Sequence, residues 1–132
     1  MLGLPFHHIG IACSDIDAAA AFVKRAFKIE SDSGTIHDPV QNAMLRIFNE
    51  GSPGAIELVA GPMVDKILAR KMTYYHVCYL TTDIDRTVAE AKAVGALEAG
   101  PVVPAVLFGG RRVVFMFTEL GLVEFLEETK RG

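Results

Sequence analysis

The sequence lacks the residues and segments that identify several classes of protein. Its 132 residues contain no tryptophan and only two cysteines, too few for a disulfide-rich secreted mini-protein. Thirteen basic and 16 acidic residues give a net charge of −3, which argues against a broad cationic surface for nucleic acid. No window approaches the roughly 18 consecutive apolar residues of a membrane span. The N-terminal residues do not resemble a signal peptide, so we expect a cytoplasmic protein.

An internal repeat is the main positive feature. The segment HIGIACSDIDAAAAF, which begins at His8, matches HVCYLTTDIDRTVAE, which begins at His76. Further along each half, AIELV contains Glu57 and LVEFL contains Glu124. The two histidines are 68 residues apart and the two glutamates 67 residues apart. Such agreement indicates a duplicated unit rather than one irregular chain.

Each half has the pattern of a βαβββ module. Short β-branched runs predict strands, and the segments that follow the DID motifs predict helices with a wide apolar face. Ser14 and Thr82 are the predicted helix N-caps. The sequence therefore predicts an α+β fold in which two tandem βαβββ modules form a curved sheet around one cleft. Residues 1–132 would be a single domain, made of module 1 (about 5–60), a helical linker (about 61–72) and module 2 (about 73–128).

In the first half, the sequence also predicts where the helix ends and where the next strands lie. The helix should extend to about Ile29, and three strands should follow it. Those strands are predicted near Glu30–Thr35, Ala43–Asn49 and Ala55–Val59.

Four polar side chains in the repeat are the candidate functional residues. His8, Glu57, His76 and Glu124 lie within apolar strands, where a carboxylate is costly unless it is paired or bound to a metal. A pseudo-twofold relation between the modules would bring all four to one point. Two imidazoles and two carboxylates suit an octahedral first-row divalent metal, and Zn²⁺ would also be accepted. The same four ligands could come from one chain or from two chains that exchange modules.

Three further residues are candidates for substrate binding. Arg111 and Arg112 follow a glycine pair at the start of a strand, where they could bind an anionic substrate. His37 is predicted to lie in a loop from which it could approach a ligand. His7, next to His8, is expected to be a packing or surface residue.

The combined motifs resemble the vicinal-oxygen-chelate superfamily. HHIGIA and its DID motif, IELV, YYHVCY with the second DID, and GLVEFLE carry this resemblance over nearly the whole chain. Within the superfamily, the chain resembles glyoxalase I (lactoylglutathione lyase) and methylmalonyl-CoA epimerase. The resemblance implies a pair of βαββ(β) modules and one divalent metal ion held by His8, Glu57, His76 and Glu124. Nickel, cobalt or manganese would be favoured, with zinc or iron as alternatives.

The resemblance also implies a reaction. The metal would polarise a carbonyl or thioester oxygen and stabilise an enediolate while a carboxylate moves the adjacent proton. Glu124 is the first candidate for that base and Glu57 the second. The implied substrate is a thiol adduct of glutathione or CoA, and the implied enzyme is a lyase or an isomerase.

The sequence leaves the choice of substrate open. The His-Glu-His-Glu set is typical of bacterial glyoxalase I, whereas the linker after Glu57 is more similar to the epimerases. Epimerisation requires two bases, and the loop that carries a glutamate in the epimerases holds Asp38 and Gln41 here. This departure favours glyoxalase I-like isomerisation of a hemithioacetal, with epimerisation of an acyl-CoA as the alternative.

Other functional classes in the superfamily remain as further alternatives. An extradiol dioxygenase would use two histidines and one glutamate for Fe(II). A non-catalytic drug-binding protein would bind no metal, and the complete ligand set counts against that class. We also expect a homodimer, because the edge strands of small modules tend to pair.

Overall fold

The computed structural model describes residues 2–129. Of these, residues 8–75 form one compact unit, here called the N-terminal unit, and residues 2–7 with 76–129 form the C-terminal unit. The division between the units falls inside two strands, so each unit takes most of one strand and the end of another.

The N-terminal unit contains one four-stranded arrangement and one long helix. Its strand order is β2-β3-β4-β1, in which β1 and β4 run parallel and the other neighbours run antiparallel. A 3-10 turn and a short helix follow the last strand, as predicted for the linker. The elements are β1 (Phe6–Ala12), α1 (Ile16–Ala26), β2 (Ile36–Asp38), β3 (Ala43–Phe48), β4 (Ile56–Ala60), the 3-10 turn (Pro62–Val64) and α2 (Asp65–Ala69).

The C-terminal unit repeats this arrangement. Its strand order is β5-β9-β8-β6, with the short β7 also paired to β8. The outer pair β5/β9 is parallel and β8/β9 is antiparallel, as β1/β4 and β3/β4 are in the other unit. The elements are β5 (Tyr74–Thr81), α3 (Ile84–Ala93), β6 (Leu97–Glu98), β7 (Val103–Pro104), β8 (Arg112–Thr118) and β9 (Gly121–Glu127). The predicted α+β class, built from two similar modules, is confirmed.

In each unit the helix covers one face of the sheet. In the N-terminal unit, Val23 of α1 packs in a cluster with Phe48 and Leu58 of the sheet. In the C-terminal unit, Ile84 of α3 packs in a cluster with Phe125 of β9. Because side chains alternate along a strand, the residues between these core positions point to the opposite face. That face carries the candidate functional residues.

Both helices begin one residue later than the sequence predicted. The N-caps are Asp15 and Asp83, whose carboxylates accept hydrogen bonds from Ala18 N and Arg86 N at 3.1 Å. Ser14 and Thr82 were wrong as caps, because the backbone is extended at the aspartates and their side chains reach the third helical N–H.

The predicted strand at residues 30–35 is also wrong. The strand that pairs with β3 is β2, so His37 lies in a strand instead of a loop. The preceding segment is rich in serine, aspartate and glycine, and Gly34 adopts a φ of 71° that a strand cannot accommodate. Among the described residues, the only β-bridge of this segment joins Asp32 to Phe48.

An ion pair between Asp32 and Arg46 should make stability depend on pH. Two guanidinium hydrogen bonds, at 2.9 and 2.7 Å, lower the pKa of the Asp32 carboxyl. We expect Asp32→Asn to reduce the free energy of unfolding near pH 7, by less than about 1 kcal/mol because the pair lies at the surface. The folded pKa is below the unfolded one, so this contribution is present above about pH 4 and is lost as the pH falls through the lowered folded value.

Urea denaturation of wild type and Asp32→Asn at several pH values measures this effect. The two stability curves should differ at neutral pH and converge near about pH 2. A difference that stays constant across that range would contradict the assignment.

No helix within residues 2–129 is long and apolar enough to cross a membrane. Cys13 and Cys78 are both present as thiols. Burial raises the pKa of the Cys13 thiol, and the nearby Asp15 charge adds to that shift.

Candidate metal centre

His8 and Glu57 form a buried pair in the N-terminal unit. Gly10 of β1 is aligned with Glu57 of β4, so His8, two residues before Gly10, lies on the same face. Leu58 packs against α1, which places its neighbour Glu57 on the face away from the helix. The distance from His8 Nε2 to Glu57 Oε1 is 3.6 Å, and the two side chains are 0% and 4% exposed.

His76 and Glu124 form the equivalent pair in the C-terminal unit. Cys78 of β5 is aligned with Glu124 of β9, and His76 lies two residues before Cys78. Val123 packs in the cluster under α3, so Glu124 also points away from its helix. His76 Nε2 lies 3.2 Å from Glu124 Oε1, and the side chains are 0% and 3% exposed.

The chemistry of each pair fits a metal ion. In each unit the histidine nitrogen and the carboxylate oxygen lie within 4.8 Å of each other, as ligands of one ion would. Burying a carboxylate is costly unless a positive charge or a metal compensates it. Imidazole and carboxylate are ligands that Mn²⁺, Fe²⁺, Co²⁺ and Ni²⁺ accept. The donor sets therefore suit the kind of metal that the sequence predicted, without distinguishing one of these ions from another.

Arg112, a predicted substrate-binding residue, is hydrogen-bonded to Glu127. Its Nε and Nη2 donate to the two carboxylate oxygens of Glu127 at 2.9 and 2.8 Å, and its backbone N–H also donates to that carboxylate. These bonds raise the pKa of the Arg112 guanidinium. Arg112 and Glu127 are neighbours across β8 and β9, so the contact joins the ends of the two strands.

The other two predicted substrate-binding residues occupy different places. Arg111 donates from Nε to Phe108 O and from Nη1 to Glu128 O, and its guanidinium lies over the Phe108 ring. His37 is exposed on β2, in the N-terminal unit. Arg111 and His37 thus belong to different units, and their predicted role in binding stays a prediction.

Arg112→Met should mainly reduce stability. The substitution removes two hydrogen bonds to the buried Glu127 carboxylate, and leaving a buried acceptor without its partner costs about 1–3 kcal/mol. Urea denaturation of this variant measures the loss. The Arg112→Met/Glu127→Leu double variant should recover much of it, because no buried charge remains. Unchanged stability together with weaker substrate binding would instead support the role predicted from the sequence.

Sequence reasoning missed the role of Asp38. This aspartate is fully buried, and its carboxylate accepts bonds from Val40 N, Gln41 N and Gln41 Nε2 at 2.9, 3.2 and 3.2 Å. It therefore holds the turn between β2 and β3. The signal in the sequence was the Asp-Pro step, since aspartate commonly accepts bonds from the backbone of a turn that follows it.

Sequence reasoning also missed Phe115. This residue of β8 lies directly across from Glu124 of β9. Its ring centre is 5.2 Å from that of His76, with the ring planes at 89°. A single sequence gives no signal for such a contact, because it depends on the register between β8 and β9.

A separate cavity of about 450 Å³ lies on the helix side of the C-terminal unit. Its lining includes Leu4, Tyr79, Val94, Leu120 and Val123. Tyr79 and Val123 belong to the cluster under α3, on the opposite face from His76 and Glu124. The cavity is therefore distinct from the C-terminal His/Glu pair.

Comparison with known proteins gives one family match and several similar structures. The model of the Glyoxalase/Bleomycin resistance protein/Dioxygenase superfamily matches residues 7–115. The hypothetical protein BH1468 from Bacillus halodurans C-125 is 23% identical over 99% of both chains, with a TM-score of 0.79.

Two further similar structures are named as methylmalonyl-CoA epimerases. A variant of the Streptomyces coelicolor enzyme in complex with 2-nitronate-propionyl-CoA is 19% identical, with 98% of this chain and 100% of that chain covered and a TM-score of 0.75. The Mycobacterium tuberculosis enzyme is 17% identical, with 98% and 93% covered and a TM-score of 0.77. At these identities the likeness shows the fold alone. No curated protein sequence matches the chain.

Proposed function

The chain belongs to the Glyoxalase/Bleomycin resistance protein/Dioxygenase superfamily, and on that basis we propose that it is a divalent-metal-dependent enzyme that moves a proton next to a carbonyl group. The observation that carries this proposal is the presence of one buried His/Glu pair in each unit, on equivalent strands. A packing role would not require a duplicated pair of this composition.

We propose that the two pairs bind one ion together. His8 and Glu57 would supply half of the ligands, and His76 and Glu124 the other half. Equivalent strands of the two modules carry the pairs, as a pseudo-twofold arrangement around one ion would require. The set of two nitrogens and two oxygens leaves open positions on an octahedral metal for the substrate.

The chemistry assigned to the chain is proton transfer. A bound divalent metal would polarise the substrate carbonyl and acidify the neighbouring C–H bond. Glu124 would take that proton on a carboxylate oxygen and return it to the product, and Glu57 is the second candidate for this role. Because both carboxylates lie in apolar strands, the surroundings would exclude bulk water from the reacting group.

We propose an acyl-CoA thioester as the first candidate substrate class. The epimerase-named structures cover nearly all of this chain, and one of them is described with a propionyl-CoA derivative. The sequence favoured glyoxalase I activity, and the comparisons support the epimerase alternative at least equally. The proposed enzyme would then epimerise the carbon next to a thioester.

Asp38 favours the second candidate, glyoxalase I-like isomerisation. Epimerisation needs one base on each face of the carbon, and Asp38 lies in the segment that carries a glutamate in the epimerases. That carboxylate accepts three bonds that hold the β2–β3 turn. Transfer of a proton between adjacent carbons of a hemithioacetal can proceed with a single carboxylate.

A paired assay tests the proposal. The protein, stripped with a chelator and reloaded with Ni²⁺, Co²⁺ or Mn²⁺, would be incubated with methylglyoxal and glutathione. A parallel reaction would follow deuterium exchange at the α-carbon of methylmalonyl-CoA. We expect metal-dependent turnover in one assay and little in the other.

The remaining outcomes distinguish the other classes. Oxygen consumption with a catechol and Fe²⁺ would indicate an extradiol dioxygenase. Failure to bind any divalent metal would overturn the proposal and favour a non-catalytic binding protein.

A further inference from the structure

We propose that Phe115 is a positioning residue that fixes the orientation of the His76 ring toward Glu124. The contact is part of the C-terminal unit, on the sheet face away from α3. Its link to metal binding rests on the proposed function, whereas the orientation of the ring can be tested without a metal.

The strand register brings the three side chains together. Val114 and Met116 pack in the cluster under α3, so Phe115 between them points to the opposite face. Glu124 is its direct partner on β9. Side chains at such directly opposed positions have Cβ atoms about 5 Å apart. Phe115 is thereby placed against both members of the His76–Glu124 pair.

The ring contact is of the kind that restricts rotation. The Phe115 and His76 ring centres are 5.2 Å apart and the planes are at 89°, which is a favourable edge-to-face arrangement. The outer torsion of histidine has a broad energy profile, so contacts around the ring decide its orientation. A rotated imidazole would move Nε2 away from Glu124 Oε1, now 3.2 Å away.

The N-terminal unit differs at the equivalent position. The partner of Glu57 on β3 is Ile47, an aliphatic residue, and the His8–Glu57 distance is longer at 3.6 Å. The residue opposite the glutamate is therefore aliphatic in the N-terminal unit and aromatic in the C-terminal unit.

Nuclear magnetic resonance of the metal-free protein tests the orientation directly. With ¹³C-labelled histidine, and with His76 assigned from a His76→Gln variant, the His76 ring protons should give one set of signals with contacts to Phe115. In Phe115→Leu we expect broadened or doubled His76 signals. Phe115→Tyr, which keeps the ring, should restore the single set.

Phe117→Leu is the matched control. Phe117 lies on the same strand and face but is 58% exposed, so its loss should leave the His76 signals unchanged. Unchanged His76 signals in Phe115→Leu, or equal changes in Phe117→Leu, would overturn the proposal.

Cobalt titration then tests whether the Phe115 ring also affects the proposed metal binding. We expect Phe115→Leu to bind Co²⁺ about 10-fold more weakly, the lower end of the effect of residues that orient metal ligands. Its absorption bands should shift, while Phe117→Leu should match wild type. If wild type binds no Co²⁺, the proposed function fails, and the resonance experiment still decides whether Phe115 orients His76. Equal affinity and equal spectra in Phe115→Leu would refute the link to metal binding alone.

Discussion

Glu124→Gln should reduce kcat by about 10²–10⁴-fold, the range expected for loss of a general base. The amide keeps the size of the side chain but cannot accept the substrate proton. Glu124 is buried and directly opposes Phe115 on β8, so an isosteric change is better suited to this test than alanine. The measurement is steady-state kinetics of the metal-loaded protein in whichever of the paired assays shows turnover.

Two controls separate a catalytic effect from damage to the fold. Glu119→Gln makes the same chemical change at an exposed position in the turn before β9 and should leave kcat within about twofold of wild type. The circular dichroism spectrum of Glu124→Gln should match that of wild type. Full activity in this variant would remove Glu124 from the mechanism and leave Glu57 as the candidate base.

His8→Ala and His76→Ala should each reduce metal affinity by more than about 100-fold, because losing a ligand should exceed the effect of losing a residue that only orients one. We expect the loss in both variants because a single shared ion would take ligands from both pairs. Isothermal titration with Ni²⁺ or Co²⁺ would measure affinity and stoichiometry together. We expect one ion per wild-type chain and no comparable binding in either variant.

The stoichiometry distinguishes one shared ion from two separately bound ions. If each His/Glu pair bound its own ion, wild type would take two ions and each single variant would retain one. His37→Ala is the control, since His37 is exposed on β2 and belongs to neither pair. Its affinity should equal that of wild type.

The repeat in the sequence predicted most of the fold, because both halves show the same order of strands and helix. Apolar periodicity located β3 and β4 within one residue of their observed bounds. It failed between α1 and β3, where short polar residues and Gly34 make the chain irregular. It also misplaced both helix starts by one residue, since serine, threonine and aspartate are all good caps and only the backbone geometry decides among them.

Strand alternation and the repeat predicted only part of the site. Buried carboxylates flanked by apolar residues identified Glu57 and Glu124, and the repeat paired them with His8 and His76. Contacts that depend on the register between β8 and β9 could not be predicted. These include the contact of Phe115 with His76 and the Arg112–Glu127 pair. The homodimer, the cytoplasmic location and the identity of the metal stay predictions from the sequence.

The parallel pairing of β1 with β4 and of β5 with β9 also matters for protein engineering. Backbone hydrogen bonds in these ladders determine which way each glutamate points, because a slip of one residue would turn its side chain toward the helix. The turn at residues 50–54 lies outside both ladders. A library randomised in that turn would therefore leave the direction of the two glutamate side chains unchanged.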